Sequence, residues 1–93
     1  MLESYIERKA RDRLMAEYQT KLVKFRDDSR DGAPDRIAIA PGGRVFFLEF
    51  KKPGEGLKRH QLEYHRWLTS KGHMVATVDS VDAALAIAGV FLS

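Results

Sequence analysis

Apolar and polar positions change their period several times along the chain, and each change marks an element. From Leu2 to Tyr18 there is no Gly or Pro, and Glu, Lys, Arg, Ala and Leu predominate, residues that lose little freedom in a helix. Ile6, Ala10 and Leu14 recur every fourth position, which predicts a helix with one core-facing stripe. Leu22 to Arg26 either extends that helix or forms a short strand, and the strand is the favoured reading. Asp27 to Pro34 is a polar loop containing Gly32 and Pro34. Arg36 to Ala40 reads as a strand, Pro41-Gly42-Gly43 as a turn and Arg44 to Phe50 as the clearest strand of the chain. The short turn predicts that these two strands form an antiparallel hairpin.

Pro53-Gly54-Glu55-Gly56 interrupts the pattern. Leu57 to Lys71 then predicts a helix, with Leu57, Gln61, Tyr64 and Leu68 on one face and Gly72 at its C-terminal cap. His73 to Val78 reads as a strand, and Ser80 as the N-cap of a last helix ending near Ala88. The predicted order is αβββαβα, an α/β fold whose mixed sheet is flanked by helices.

Composition narrows the possibilities. The 93 residues suit one domain, read from a natural start at Met1 with no separate recognition domain. There is no cysteine, which excludes disulfide scaffolding and thiolate zinc sites. His60, His65 and His73 have no spacing that suggests a shared metal. No apolar run approaches the roughly 20 residues of a membrane span, and the N-terminus is polar from Glu3 onward. The expected compartment is therefore the cytoplasm. A net charge of +3 and a pI near 9.4 are compatible with a nucleic-acid partner but do not by themselves imply one.

The chemistry concentrates between Gly32 and Lys52. Asp35 precedes a strand, Glu49 lies near the end of the next, and Lys51 follows two residues later. Strand alternation puts Glu49 and Lys51 on one face and Phe50 on the other. If the hairpin pairs as read, Asp35 lies across from Glu49. Two carboxylates and an amine at one sheet end have a clear use. Mg²⁺ usually takes one or two carboxylates and keeps several waters. Asp35 and Glu49 would hold it, with the carbonyl of Phe50 as a third oxygen. The ion would lower the pKa of a bound water, while Lys51 would orient or deprotonate that water and face the developing charge. A Glu-x-Lys pair in a strand is more often a solvated salt-bridge face. Here, however, Glu49 ends an almost wholly apolar run, Val45-Phe46-Phe47-Leu48, where an unpartnered carboxylate is costly.

Gly32-Ala33-Pro34-Asp35-Arg36, then Leu48-Glu49-Phe50-Lys51, then Gln61, resemble in order and spacing the VRR-NUC (virus-type replication-repair nuclease) domain of the PD-(D/E)XK superfamily. The resemblance covers essentially the whole chain. It implies the restriction-endonuclease-like fold, hydrolysis of phosphodiester bonds with Mg²⁺ or Mn²⁺, and a phage or bacterial source. It matches Asp35 and Glu49 to the metal-binding carboxylates, Lys51 to the catalytic lysine and Gln61 to a helical glutamine beside the site. Glu3 best matches an N-terminal glutamate, with Glu7, one turn on, as its alternative. By residue chemistry alone, Gln61 is equally a glutamine bonded to backbone on an apolar face.

Lys52, Lys58, Arg59, His60 and Arg66 follow the Glu-x-Lys strand and could contact DNA phosphates; a solvated helix face is the rival reading. For Tyr64 and Trp67, core packing is favoured over stacking on bases. The resemblance implies a structure-specific endonuclease for branched DNA such as four-way junctions, and the small size of the chain points to reading shape rather than sequence. A non-catalytic binding module of the same fold is the alternative. Two symmetric cuts suggest a homodimer. Val90, Phe91 and Leu92 are expected beyond the last helix, either as an exposed interface or folded back onto the core.

Overall fold

The structure, a computed structural model, describes residues 2–93, with side chains from Ser4 onward. The observed order is α1 (Leu2–Tyr18), β1 (Lys21–Lys24), β2 (Arg36–Ile39), a one-turn 3₁₀ segment at Pro41–Gly43, β3 (Val45–Phe50), α2 (Arg59–Ser70), β4 (Val75–Val78) and α3 (Val81–Phe91). The strands form one sheet in the order β1-β2-β3-β4. β1, β2 and β3 pair antiparallel. β4 lies parallel to β3, with α2 as the crossover between them.

The sheet is covered on both faces, which explains why β3 reads as an almost unbroken apolar run. Phe46, Leu48 and Phe50 point to one face, where they pack with Ala10 and Leu14 of α1 and Ala84 of α3. Phe47 points to the other, against Tyr64 and Leu68 of α2. Ser80 caps α3 as expected, its hydroxyl accepting from the Ala83 N–H at 3.0 Å. In the β2–β3 pair Arg36 faces Leu48, so Asp35 and Glu49 arrive at the same sheet end, as the hairpin predicts.

Several boundaries differ from expectation, β4 for one beginning at Val75 rather than His73, and three of the shifts have a local reason. β1 ends at Lys24 rather than Arg26, although the Phe25 N–H still donates to the Asp35 carbonyl at 2.9 Å. α2 begins at Arg59 rather than Leu57. Gln61 accepts from the Lys58 N–H through its side-chain oxygen at 2.9 Å, which closes the first turn there. α3 continues past Ala88 to Phe91. Gly89 is no terminator: a Cβ there would lie 3.0 Å from the Tyr18 hydroxyl, so the glycine serves the packing of α3 on α1. The tail is consequently not an exposed patch. The Phe91 ring lies 5.0 Å from that of Phe46, and Leu92 packs against the same core, leaving Val90 exposed. Of the two aromatic residues on α2, Tyr64 is buried as expected. Trp67 is 44% exposed, with the Arg30 guanidinium 5.7 Å from its ring.

Candidate active site

Backbone architecture brings the carboxylates together. Gly32 adopts φ +97°, and a Cβ on it would lie 2.3 Å from the His60 carbonyl oxygen. Only glycine allows the loop to lie so tightly on the first turn of α2. The chain then passes through the fully buried Pro34 into Asp35. The Asp35 carbonyl accepts from Phe25, and its side chain accepts from the Phe50 N–H at 2.9 Å. Continued past β2, the register sets Pro34 opposite Phe50, and the Asp35 carboxylate takes up the Phe50 N–H there. On the far side of β3, the Lys51 N–H donates to the Val78 carbonyl at 2.9 Å and prolongs the pairing with β4. Glu49 and Lys51 are thus held between two strands, and both are buried.

The electrostatics favour a cation here. Burial pushes the Asp35 carboxyl up to about 6; the Phe50 N–H opposes the rise, Glu49 adds to it, and Lys51 opposes it. Glu49 is 2% exposed, and its Oε1 has no hydrogen-bond partner. A buried carboxylate oxygen without a partner is costly, and two adjacent carboxylates against one lysine leave negative charge uncompensated. Two hard oxygen donors with one free lone-pair face fit a divalent ion of the Mg²⁺ class. The N–H and C=O of a strand residue point to the same side, so the Phe50 carbonyl also faces the Asp35 edge. Among the described residues no group of three or more His, Asp or Glu side chains has ligand geometry, so any third protein donor would be a backbone oxygen.

No family model matches the sequence. The fold, however, matches a solved structure described as "VRR_NUC domain" with a TM-score of 0.86, covering 96% of each chain at 27% identity. The chain has the fold of a VRR-NUC domain. It is also 42% identical over 59 residues to "Putative nuclease p44" of Acyrthosiphon pisum secondary endosymbiont phage 1, a match spanning 63% of each protein.

Around the Asp35–Glu49 pair the other expected site residues separate. The Glu3 side chain lies outside the described part. Glu7, its alternative, forms an ion pair with Arg36 at 2.8 Å and lines the same hollow as Asp35. The Gln61 side-chain oxygen is taken up by the α2 cap. Lys52, Lys58, Arg59 and Arg66 are all exposed, and Arg59 pairs with Glu63 one turn along α2. His65 is the residue that sequence reasoning missed. It is buried, with Nε2 3.7 Å from Glu49 Oε1. A signal was present: His65 lies four positions after Gln61 and three before Leu68, on the apolar stripe of α2. No helix among the described residues is long and apolar enough to cross a membrane.

Proposed function

We propose that this domain is a Mg²⁺- or Mn²⁺-dependent nuclease that hydrolyses phosphodiester bonds in DNA, cutting branched structures such as four-way junctions as a homodimer. The observation that carries the reading is the part-buried Asp35 beside the buried Glu49, whose oxygen is unpartnered, with Lys51 on the same strand face. The structural likeness to a VRR-NUC domain and the similarity to a phage protein named as a nuclease support it.

Asp35 and Glu49 would hold the ion, with the Phe50 carbonyl as a backbone donor. When bound, the ion activates a water and offsets charge on the phosphoryl oxygens. The Phe50 N–H fixes the Asp35 carboxylate, so one of its oxygens is oriented before any ligand arrives. Lys51, buried beside Glu49 on the same strand face, would orient the attacking water and then face the negative charge that develops on phosphorus. Selectivity would come from DNA shape rather than base sequence. One site cuts one strand, and a two-fold dimer would supply the second cut at a junction.

The test is cleavage of labelled four-way junction, flap, nicked duplex and single strand, each with Mg²⁺, Mn²⁺ or EDTA. The reading expects metal-dependent cutting, most efficient on the junction, and none in EDTA. Binding without cleavage under every metal condition would favour the non-catalytic module instead.

A further inference from the structure

Two hollows adjoin at the Asp35 end of the sheet. The larger, about 520 Å³, is lined in part by Lys24, Arg26, Asp35 and Arg36. The smaller, about 210 Å³, includes Arg8 and Arg11. Both include Ser4, Glu7 and Arg36, so they form one groove leading from Asp35 along α1 and β1. Cations outnumber carboxylates in it. Lys24 and Arg36 are direct cross-strand partners, an arrangement that repels. Glu7 relieves it only at Arg36, and Arg8 and Lys24 have no acidic partner among the described residues. Such a channel focuses positive potential on a ligand carrying regularly spaced negative charge.

We propose that this groove carries the phosphate backbone of the nucleic-acid strand into the site, with Arg8 and Lys24 as its main anchors. The proposal rests on the nuclease reading and moves the expected phosphate-binding residues from α2 to the opposite side of the sheet. Both residues are exposed, so their replacement leaves the core intact. The experiment measures binding of a labelled junction by fluorescence anisotropy across a salt series in EDTA, where no cutting is expected. Arg8→Ala/Lys24→Ala should weaken binding and flatten the log–log salt dependence by about 2, one for each phosphate no longer neutralised. Arg59→Ala/Arg66→Ala should keep the slope of the unmodified protein. An unchanged slope in the groove variant overturns the proposal. Absence of binding by the unmodified protein brings down the nuclease reading together with it.

A second, independent observation concerns His65. Its Nε2 and the Glu49 Oε1 are both buried, both without a hydrogen-bond partner, and 3.7 Å apart. That is too long for a hydrogen bond, yet such a pair is rarely left unmade in a native interior. The geometry points to His65 as a positioning residue: when Glu49 moves to hold the ion, the His65 N–H donates to one carboxylate oxygen and fixes the direction of the other. Partners of this kind change metal affinity by roughly 10–100-fold. Mn²⁺ binding, measured by calorimetry without DNA, tests it on the full chain. His65→Leu, which fills the space without a donor, should bind Mn²⁺ at least about tenfold more weakly, and His65→Gln, which keeps a donor, should recover most of the loss. Wild-type affinity in the Leu variant, or equal loss in both variants, refutes the role. If the unmodified protein binds no Mn²⁺, the metal reading fails with it.

Discussion

Asp35→Asn tests whether the carboxylate pair is held at a cost to the fold. Burial and the neighbouring Glu49 raise the Asp35 carboxyl from its ordinary 3.8 to about 6. Below pH 3.8 folded and unfolded chains are both protonated, and there is no penalty. As pH rises, the unfolded chain releases this proton first, so stability falls until the pH passes about 6 and stays lowered above it. At about 1.4 kcal/mol per pH unit the upper bound is about 3 kcal/mol. Asp35 is only partly buried, and screening by water reduces this to about 1–2 kcal/mol. Asn keeps an oxygen for the Phe50 N–H but carries no charge. In EDTA at pH 8 the variant should therefore melt about 4–16 °C higher than the unmodified protein, at about 4–8 °C per kcal/mol for a domain of this size. The gap should narrow at pH 5. Circular dichroism melts at the two pH values, with and without Mg²⁺, are sufficient. Added Mg²⁺ should raise the melting temperature of the unmodified protein at pH 8 and leave the variant nearly unmoved. A variant that melts at or below the unmodified protein at pH 8 in EDTA would refute the reasoning.

Three further outcomes follow from the same geometry. Lys51→Ala should lower the single-turnover cleavage rate by at least about a hundredfold, the usual scale of a positioned proton-transfer group, with little change in DNA affinity; weaker binding at an unchanged rate would make Lys51 a phosphate ligand only. Gly32→Ala forces a left-handed backbone and a Cβ 2.3 Å from the His60 carbonyl oxygen, and should cost about 2–5 kcal/mol in a urea titration; a midpoint like that of the unmodified protein would contradict the tight docking of this loop. Light scattering at micromolar concentration should give twice the 10.6 kDa chain mass; a clean monomer would remove the symmetric two-cut reading of junction cleavage.

Much of this architecture was legible because the clearest sequence signals come from two-sided burial. β3 announces itself as an apolar run, and Glu49 stands out because it ends that run. The Asp35–Glu49 meeting followed from a short turn and a period of two. The boundaries that slipped depend on neighbours remote in sequence or on a local cap. Gly89 looks like a helix stop until Tyr18 is seen against it. Leu57 continues the stripe of α2, but the hydrogen bond from the Lys58 N–H to Gln61 starts the helix two residues later. The tail lends no support to a dimer, because Phe91 covers Phe46. The basic groove was invisible for a similar reason, since α1, β1 and β2 each contribute one or two charges that only the register brings together.

The most direct measurement is single-turnover cleavage of a labelled four-way junction by Glu49→Gln beside the unmodified protein in Mg²⁺. Glutamine keeps the shape of Glu49 but removes its charge from the buried strand end. The unmodified protein should cut, and stop when EDTA is added. Glu49→Gln should bind the junction and melt cooperatively but leave it uncut. Full cleavage by Glu49→Gln would contradict the assignment of this site.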